Sequence, residues 1–74
     1  MLTLDDLSFP ASAQIAGTSI KGKAARRLKE LGVLPGEIVF FQGRAPLGGA
    51  IAFSVRGTVL AIRSGLARQI FVRK

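Results

Sequence analysis

Few residues in this chain can do chemistry, and their types narrow the options at once. The carboxylates are Asp5, Asp6, Glu30, Glu37 and the terminal group at Lys74. Histidine and cysteine are absent, which removes the commonest general base at neutral pH, the commonest metal ligand and any thiolate or disulfide. Asp5-Asp6 could touch a cation loosely, but adjacent acids near a terminus serve equally well as solvated surface. Serine and threonine hydroxyls have no base beside them, so no nucleophile is activated. No Gly-x-x-x-x-Gly-Lys-Ser/Thr loop is present to cradle phosphate. These residues predict no catalytic site, no cofactor and no metal centre. They point to recognition.

Three groups are candidates for recognition. Lys21, Lys23, Arg26, Arg27 and Lys29 cluster within nine residues of a chain whose net charge is +7. Such a cluster can steer an acidic protein surface, nucleic acid or anionic headgroups toward it. The alternative is an ordinary solvated helix face, where single ion pairs contribute little. Phe71 alternates out of the Ile70/Val72 set, and if it clusters on the surface with Ile38 and Phe40 the three make an apolar patch for a partner or for self-association. The leader or the helix could instead cover them. Leu47 lies in the Pro46-Leu47-Gly48-Gly49 loop, where it could anchor a partner or tuck over the end of the fold.

These residues need a frame to position them, and hydrophobic periodicity supplies one. Leu4 and Leu7, followed by Pro10, read as a short leader turn packed on the body of the fold. Ala13, Ile15 and Ile20 mark a first strand, interrupted at Gly17-Thr18-Ser19. Residues 23–31 form the one helix, with Ala24, Leu28 and Leu31 on a single stripe. Glu30 follows Arg26 by four residues, a spacing that favours a weak ion pair. Gly32 is placed to cap the helix in a left-handed conformation, and Pro35-Gly36 makes the next turn.

Everything beyond that turn reads as strand. Glu37–Gln42 carries Ile38, Val39, Phe40 and Phe41, and residues 44–49 form a loop. If Arg56-Gly57 is a two-residue hairpin turn, Val55 faces Thr58, Phe53 faces Leu60 and Ile51 faces Ile62. That register sets apolar residues opposite one another on one face, and a slip of one residue destroys the match. Residues 63–68 read as a turn, and Ile70 and Val72 as a last strand. The expected class is mainly β: about five short strands in a small bent barrel, with one α-helix between the first and second strands. Closure of the barrel would hide the sheet edges.

Size and composition agree with a single small module over residues 1–74. Hydrophobic residues make up 49% of the chain, enough for a thin core without staples. A domain of this length buries roughly 60% of its unfolded surface. Acids stand where a signal peptide needs bases, and no apolar run is long enough to span a bilayer. The expectation is a cytoplasmic protein without membrane insertion.

The order and spacing of several stretches resemble the FeoA family. These are Arg27-Leu28-Lys29-Glu30-Leu31-Gly32-Val33-Leu34-Pro35-Gly36, then Ala45-Pro46-Leu47-Gly48, Val55-Arg56-Gly57, and Ile62-Arg63 with Ala67, Ile70 and Val72. The resemblance covers nearly the whole chain, and it implies that Val39 and Phe41 are core, which turns Ile38 and Phe40 to the other face. It implies an SH3-like β-barrel, also found as the C-terminal domain of DtxR-type repressors, and a role in ferrous iron transport. The implied partner is the cytosolic part of a FeoB-like transporter, whose activity or assembly the protein would modulate. The chain departs from the family at Gly49, where relatives often carry Asp, and at Leu66, where they usually carry Glu, which weakens the carry-over of a transition metal ion site; Fe(II) favours imidazole and carboxylate ligands. Two other readings remain: a basic nucleic-acid-binding barrel and a metal-sensing regulatory domain. The first is disfavoured because tryptophan and tyrosine are absent and Phe53 belongs to the core, leaving few aromatics to stack on bases.

Overall fold

A computed structural model of the chain describes residues 2–8 and 11–74. Pro10, placed by the sequence at the end of the leader turn, lies outside the described residues. The elements follow in the order β1 (Ser12–Thr18), α1 (Gly22–Glu30), β2 (Ile38–Arg44), β3 (Ala50–Val55), β4 (Thr58–Arg63), α2 (Ser64–Ala67) and β5 (Ile70–Arg73), after a short 3-10 turn at Leu4–Asp6. The five strands make one antiparallel sheet in the order β4-β3-β2-β1-β5.

The hairpin between β3 and β4 has the register that the apolar matching predicts. Val55 pairs with Thr58, Phe53 with Leu60 and Ile51 with Ile62. Its turn places Arg56 at φ 54° and Gly57 at φ 81°, the two successive positive values of a type I′ turn, whose twist matches that of the flanking strands. Glycine meets this requirement without steric cost; arginine does not. Arg56 is held by its surroundings instead, with its side chain packed over Gly32 and its Nε 4.0 Å from a Glu37 carboxylate oxygen.

The helix ends as its sequence requires. Val33 N–H donates to the Leu28 carbonyl (2.9 Å) and Gly32 N–H to the Lys29 carbonyl (3.1 Å), the paired bonds of a Schellman motif. Leu28 and Val33, the residues that this motif brings into contact, are both buried. Gly32 has φ 104°, and a Cβ there would stand 2.9 Å from Arg56 Cδ. Gly32→Ala is therefore expected to cost about 1–2 kcal/mol, read as a lower urea midpoint with an unchanged slope. A midpoint equal to wild type would refute this account of the cap.

The buried set comes from β1, β2, β3 and β5, from both helices and from the leader, whereas no residue of β4 is fully buried. Phe53, Val55, Ile51, Val39, Ile15 and Ile70 are essentially inaccessible, and Leu4 and Leu7 join them. Among the described residues no polar or charged side chain is buried.

Several local expectations need correction. Gly17 does not end β1: the strand runs on to Thr18 through an irregularity between Ile15 and Gly17 in its pairing with β5. Ile20 follows the strand, buried, its N–H bonded to the Thr18 hydroxyl. β2 continues to Arg44 past a second irregularity between Phe41 and Gly43, so the loop starts at Ala45. Residues 64–67 form a single helical turn where a plain turn was expected. Among the described residues Arg26 and Glu30 form no ion pair, because both are exposed and water competes for them.

The strand order leaves β4 and β5 as the two ends of the sheet. β5 is covered on its outer side by the leader: Thr3 bridges Phe71 and Val72 N–H donates to the Leu2 carbonyl. β4, at the other end of the order, pairs with β3 alone among the described residues.

Candidate functional site

The open edge and the helix together make a concavity on the surface. Leu28 turns into the core, while Ala24 and Ala25 are half-buried. The apolar stripe of α1 runs one residue past the helix to Leu31, which is 40% exposed. Opposite it, Leu60 and Ile62 of β4 pack against the core but stay half-buried. Between them runs a groove of about 200 Å³ walled by Ala24, Arg27, Leu28 and Leu31 on the helix side. Leu60, Ala61 and Ile62 of β4, with Leu66 of α2, make its other wall.

The charges beside the groove are unengaged. Arg44 donates to Asp5 Oδ1 at 2.8 Å, Arg68 lies 3.9 Å from Asp5 Oδ2, and Arg56 approaches Glu37. Lys21, Lys23, Arg26, Arg27, Lys29 and Arg63 meet no carboxylate among the described residues. The first five line the exposed side of α1, and Arg63 ends β4. Arg27 is the member of this set that also walls the groove.

The apolar candidates divide. Ile38 (44% exposed) and Phe40 (51%) share the outer face of β2, and Phe40 lies in one cross-strand row with Ser54 and Val59, itself 65% exposed. Phe71 stands apart and is half-buried, opposite Gly17, whereas Ile38 is opposite Gln14. Leu47 is 98% exposed at its loop tip and does not tuck over the barrel end. Below that loop lies a shallower hollow of about 350 Å³ floored by Ala50, Ala52 and Ala61 beside Arg44.

Alternation assigns Leu60 and Ile62 to the inner face of β4, and the structure places them there. It cannot say whether anything covers that face. The three-residue stripe of α1 is too short to do so, and that mismatch is the signal that could have revealed the groove. Leu66 is easily missed for another reason: its short segment carries no periodicity.

The donor set does not suit a metal ion. Among the described residues no three acidic, histidine or cysteine side chains converge. Asp5 is occupied by two arginines, and the Asp6 carboxylate accepts the Thr3 N–H at 2.8 Å. No helix among the described residues is long and apolar enough to cross a membrane.

Comparison with known proteins places this fold. The FeoA domain family matches residues 2–74. No curated protein matches the chain. The FeoA protein of Chlorobium tepidum is 28% identical, with a TM-score of 0.92 over 97% of this chain and 69% of its own. FeoA of Stenotrophomonas maltophilia, solved in complex with zinc and described as an SH3 domain protein, is 32% identical, with a TM-score of 0.83 over 97% and 89% of the two chains. ScaR with bound Cd2+ is 22% identical, with a TM-score of 0.84 over 100% of this chain and 36% of its own; that likeness is one of fold. A mainly β, SH3-like fold with α1 between β1 and β2, matched along nearly its whole length, makes this chain a member of the FeoA family.

Proposed function

We propose that this chain is a small accessory protein of ferrous iron uptake. It works in the cytoplasm as a single module, binds the cytosolic part of a FeoB-like transporter through the groove between α1 and β4, and catalyses nothing itself. Family membership supports the pathway, and a role as a ferrous iron transport activating factor has been suggested for the S. maltophilia relative. The absence of histidine and cysteine from the sequence favours contact over catalysis.

The single observation carrying the choice of surface is the groove itself, a concave apolar trough with one unengaged cation, Arg27, on its wall. Recognition sites combine these features: apolar area supplies binding energy and charge supplies orientation. The outer-face residues Ile38 and Phe40 are a weaker candidate, because Gln14, Gln42 and Ser54 dilute them.

The test is binding to the intact FeoB-like transporter of the same cell, with and without guanine nucleotide. Leu31→Gln places a polar amide on the groove wall at a position exposed enough to spare the fold. Losing one buried leucine contact is expected to weaken binding about tenfold or more. Wild-type chain that fails to bind under either condition would overturn the proposal. Equal affinity of the variant would move the docking surface elsewhere.

A further inference from the structure

We propose that the occupant of the groove is an added β-strand: an extended acidic segment of the transporter pairs with the outer edge of β4 and seats alternate apolar side chains between β4 and α1. This rests on reading the groove as the transporter's docking site, and it says how docking is done.

The hairpin geometry fixes which backbone groups are available. A two-residue turn makes Val55 and Thr58 a hydrogen-bonded pair, so hydrogen-bonded and non-bonded pairs then alternate along β3 and β4. Ser64 N–H donating to the Gly49 carbonyl at 3.0 Å obeys the same alternation. Val59 and Ala61, opposite Ser54 and Ala52, are therefore non-bonded pairs. Their N–H and C=O groups, and the N–H of Arg63, point away from β3 and meet no described residue.

Free edges template strand pairing unless proline, an inward charge or a covering segment blocks them. The two ends of this sheet differ in that respect. β5 is covered by Leu2 and Thr3; β4 carries no proline and no inward charge, and its edge borders an apolar groove. A strand laid along β4 would alternate its side chains between the two faces of the sheet. One set would fall beside Leu60 and Ile62, over the groove and against Leu28 and Leu31. Main-chain bonds combined with alternate side-chain pockets are the components of recognition by strand addition.

Charge selects the occupant. Arg63 ends the edge strand and Arg27 stands on the opposite wall, both without carboxylate partners, so acidic residues flanking the apolar ones are favoured. A second copy of the chain is disfavoured, because pairing two β4 edges brings together two chains of net charge +7, each carrying these same arginines.

Ala61→Pro tests the pairing. The Ala61 N–H is not used in the β3 ladder, and proline is tolerated on an edge strand with that side free. The substitution removes one outward donor and blocks close approach of a new strand. We expect the folded variant to bind the intact transporter about tenfold more weakly. Wild-type affinity for Ala61→Pro beside weakened Leu31→Gln would overturn strand addition and leave the groove in place. Wild-type affinity for both variants would overturn both readings. If Ala61→Pro does not fold, amide exchange of the wild-type chain decides: slowing of Val59, Ala61 and Arg63 N–H exchange by at least about tenfold on complex formation supports strand addition, and unchanged exchange overturns it.

Discussion

Phe53→Ala is expected to lower the stability of the fold more than any other single truncation described here, by about 3–5 kcal/mol. Phe53 is 0% exposed and is the largest fully buried side chain among the described residues. Its position in β3, paired with Phe41 on one side and Leu60 on the other, makes it the centre of the sheet's inner face. Truncating a core phenylalanine costs about 3–5 kcal/mol. A chain of this length has roughly 4–10 kcal/mol of total stability, so one substitution removes from about a third to the whole of it. Far-UV circular dichroism and urea titration would read the loss directly. Phe40→Ala, one position from Phe41 on the opposite face and half-exposed, is the matched control, with an expected cost of about 1 kcal/mol or less. Similar midpoints for the two variants would mean that the inner face of β3 is not where the stability resides.

The second large effect is kinetic. Reversing Lys23 and Arg26 to glutamate lowers the net charge from +7 to +3, since each reversal removes two positive charges. Both side chains are exposed on α1, and neither walls the groove. Lys23 lies in the first turn, where an acid is favoured by the helix dipole, so that reversal should not weaken the helix. If the basic face steers the transporter toward the groove, association should slow about tenfold at low ionic strength while dissociation changes little. The difference should vanish near 1 M salt, where the screening length falls to about 3 Å. Equal association rates at low salt would assign the basic face to solubility alone.

How much of this was legible beforehand depends on the kind of information each feature needs. The β3–β4 register could be read because only one alignment pairs Phe53, Ile51 and Val55 with suitable partners across Arg56-Gly57. The helix end was equally plain: Gly32 supplies a conformation that other residues resist, and Val33 closes the motif on Leu28. The facing of β2 came from the resemblance to the FeoA family, since four consecutive apolar residues show no alternation; it put Ile38 and Phe40 on the outer face, where they are exposed and uncovered. Coverage was not. Alternation shows that Leu60 and Ile62 point inward, but whether a helix reaches them depends on how far α1 lies from β4, a tertiary distance with no local signature. The irregularities at Gly17 and Gly43 were hidden because an extra residue in a strand leaves both flanking segments looking regular. The separation of Phe71 from Ile38 and Phe40 is a matter of strand offset along β1, again set by pairing and not by residue type.

The hydrogen bond from Val72 to Leu2, with Thr3 bridging Phe71, zips together segments near the two extremities of the sequence. A module tied this way has, in effect, one point of exit: whatever is attached before Leu2 or after Val72 departs from the same neighbourhood. Such a unit can be spliced beside or within another polypeptide without stretching its own framework, because the host need span only a short gap. That geometry suits a fold that stands nearly alone in the S. maltophilia protein and makes up about a third of ScaR.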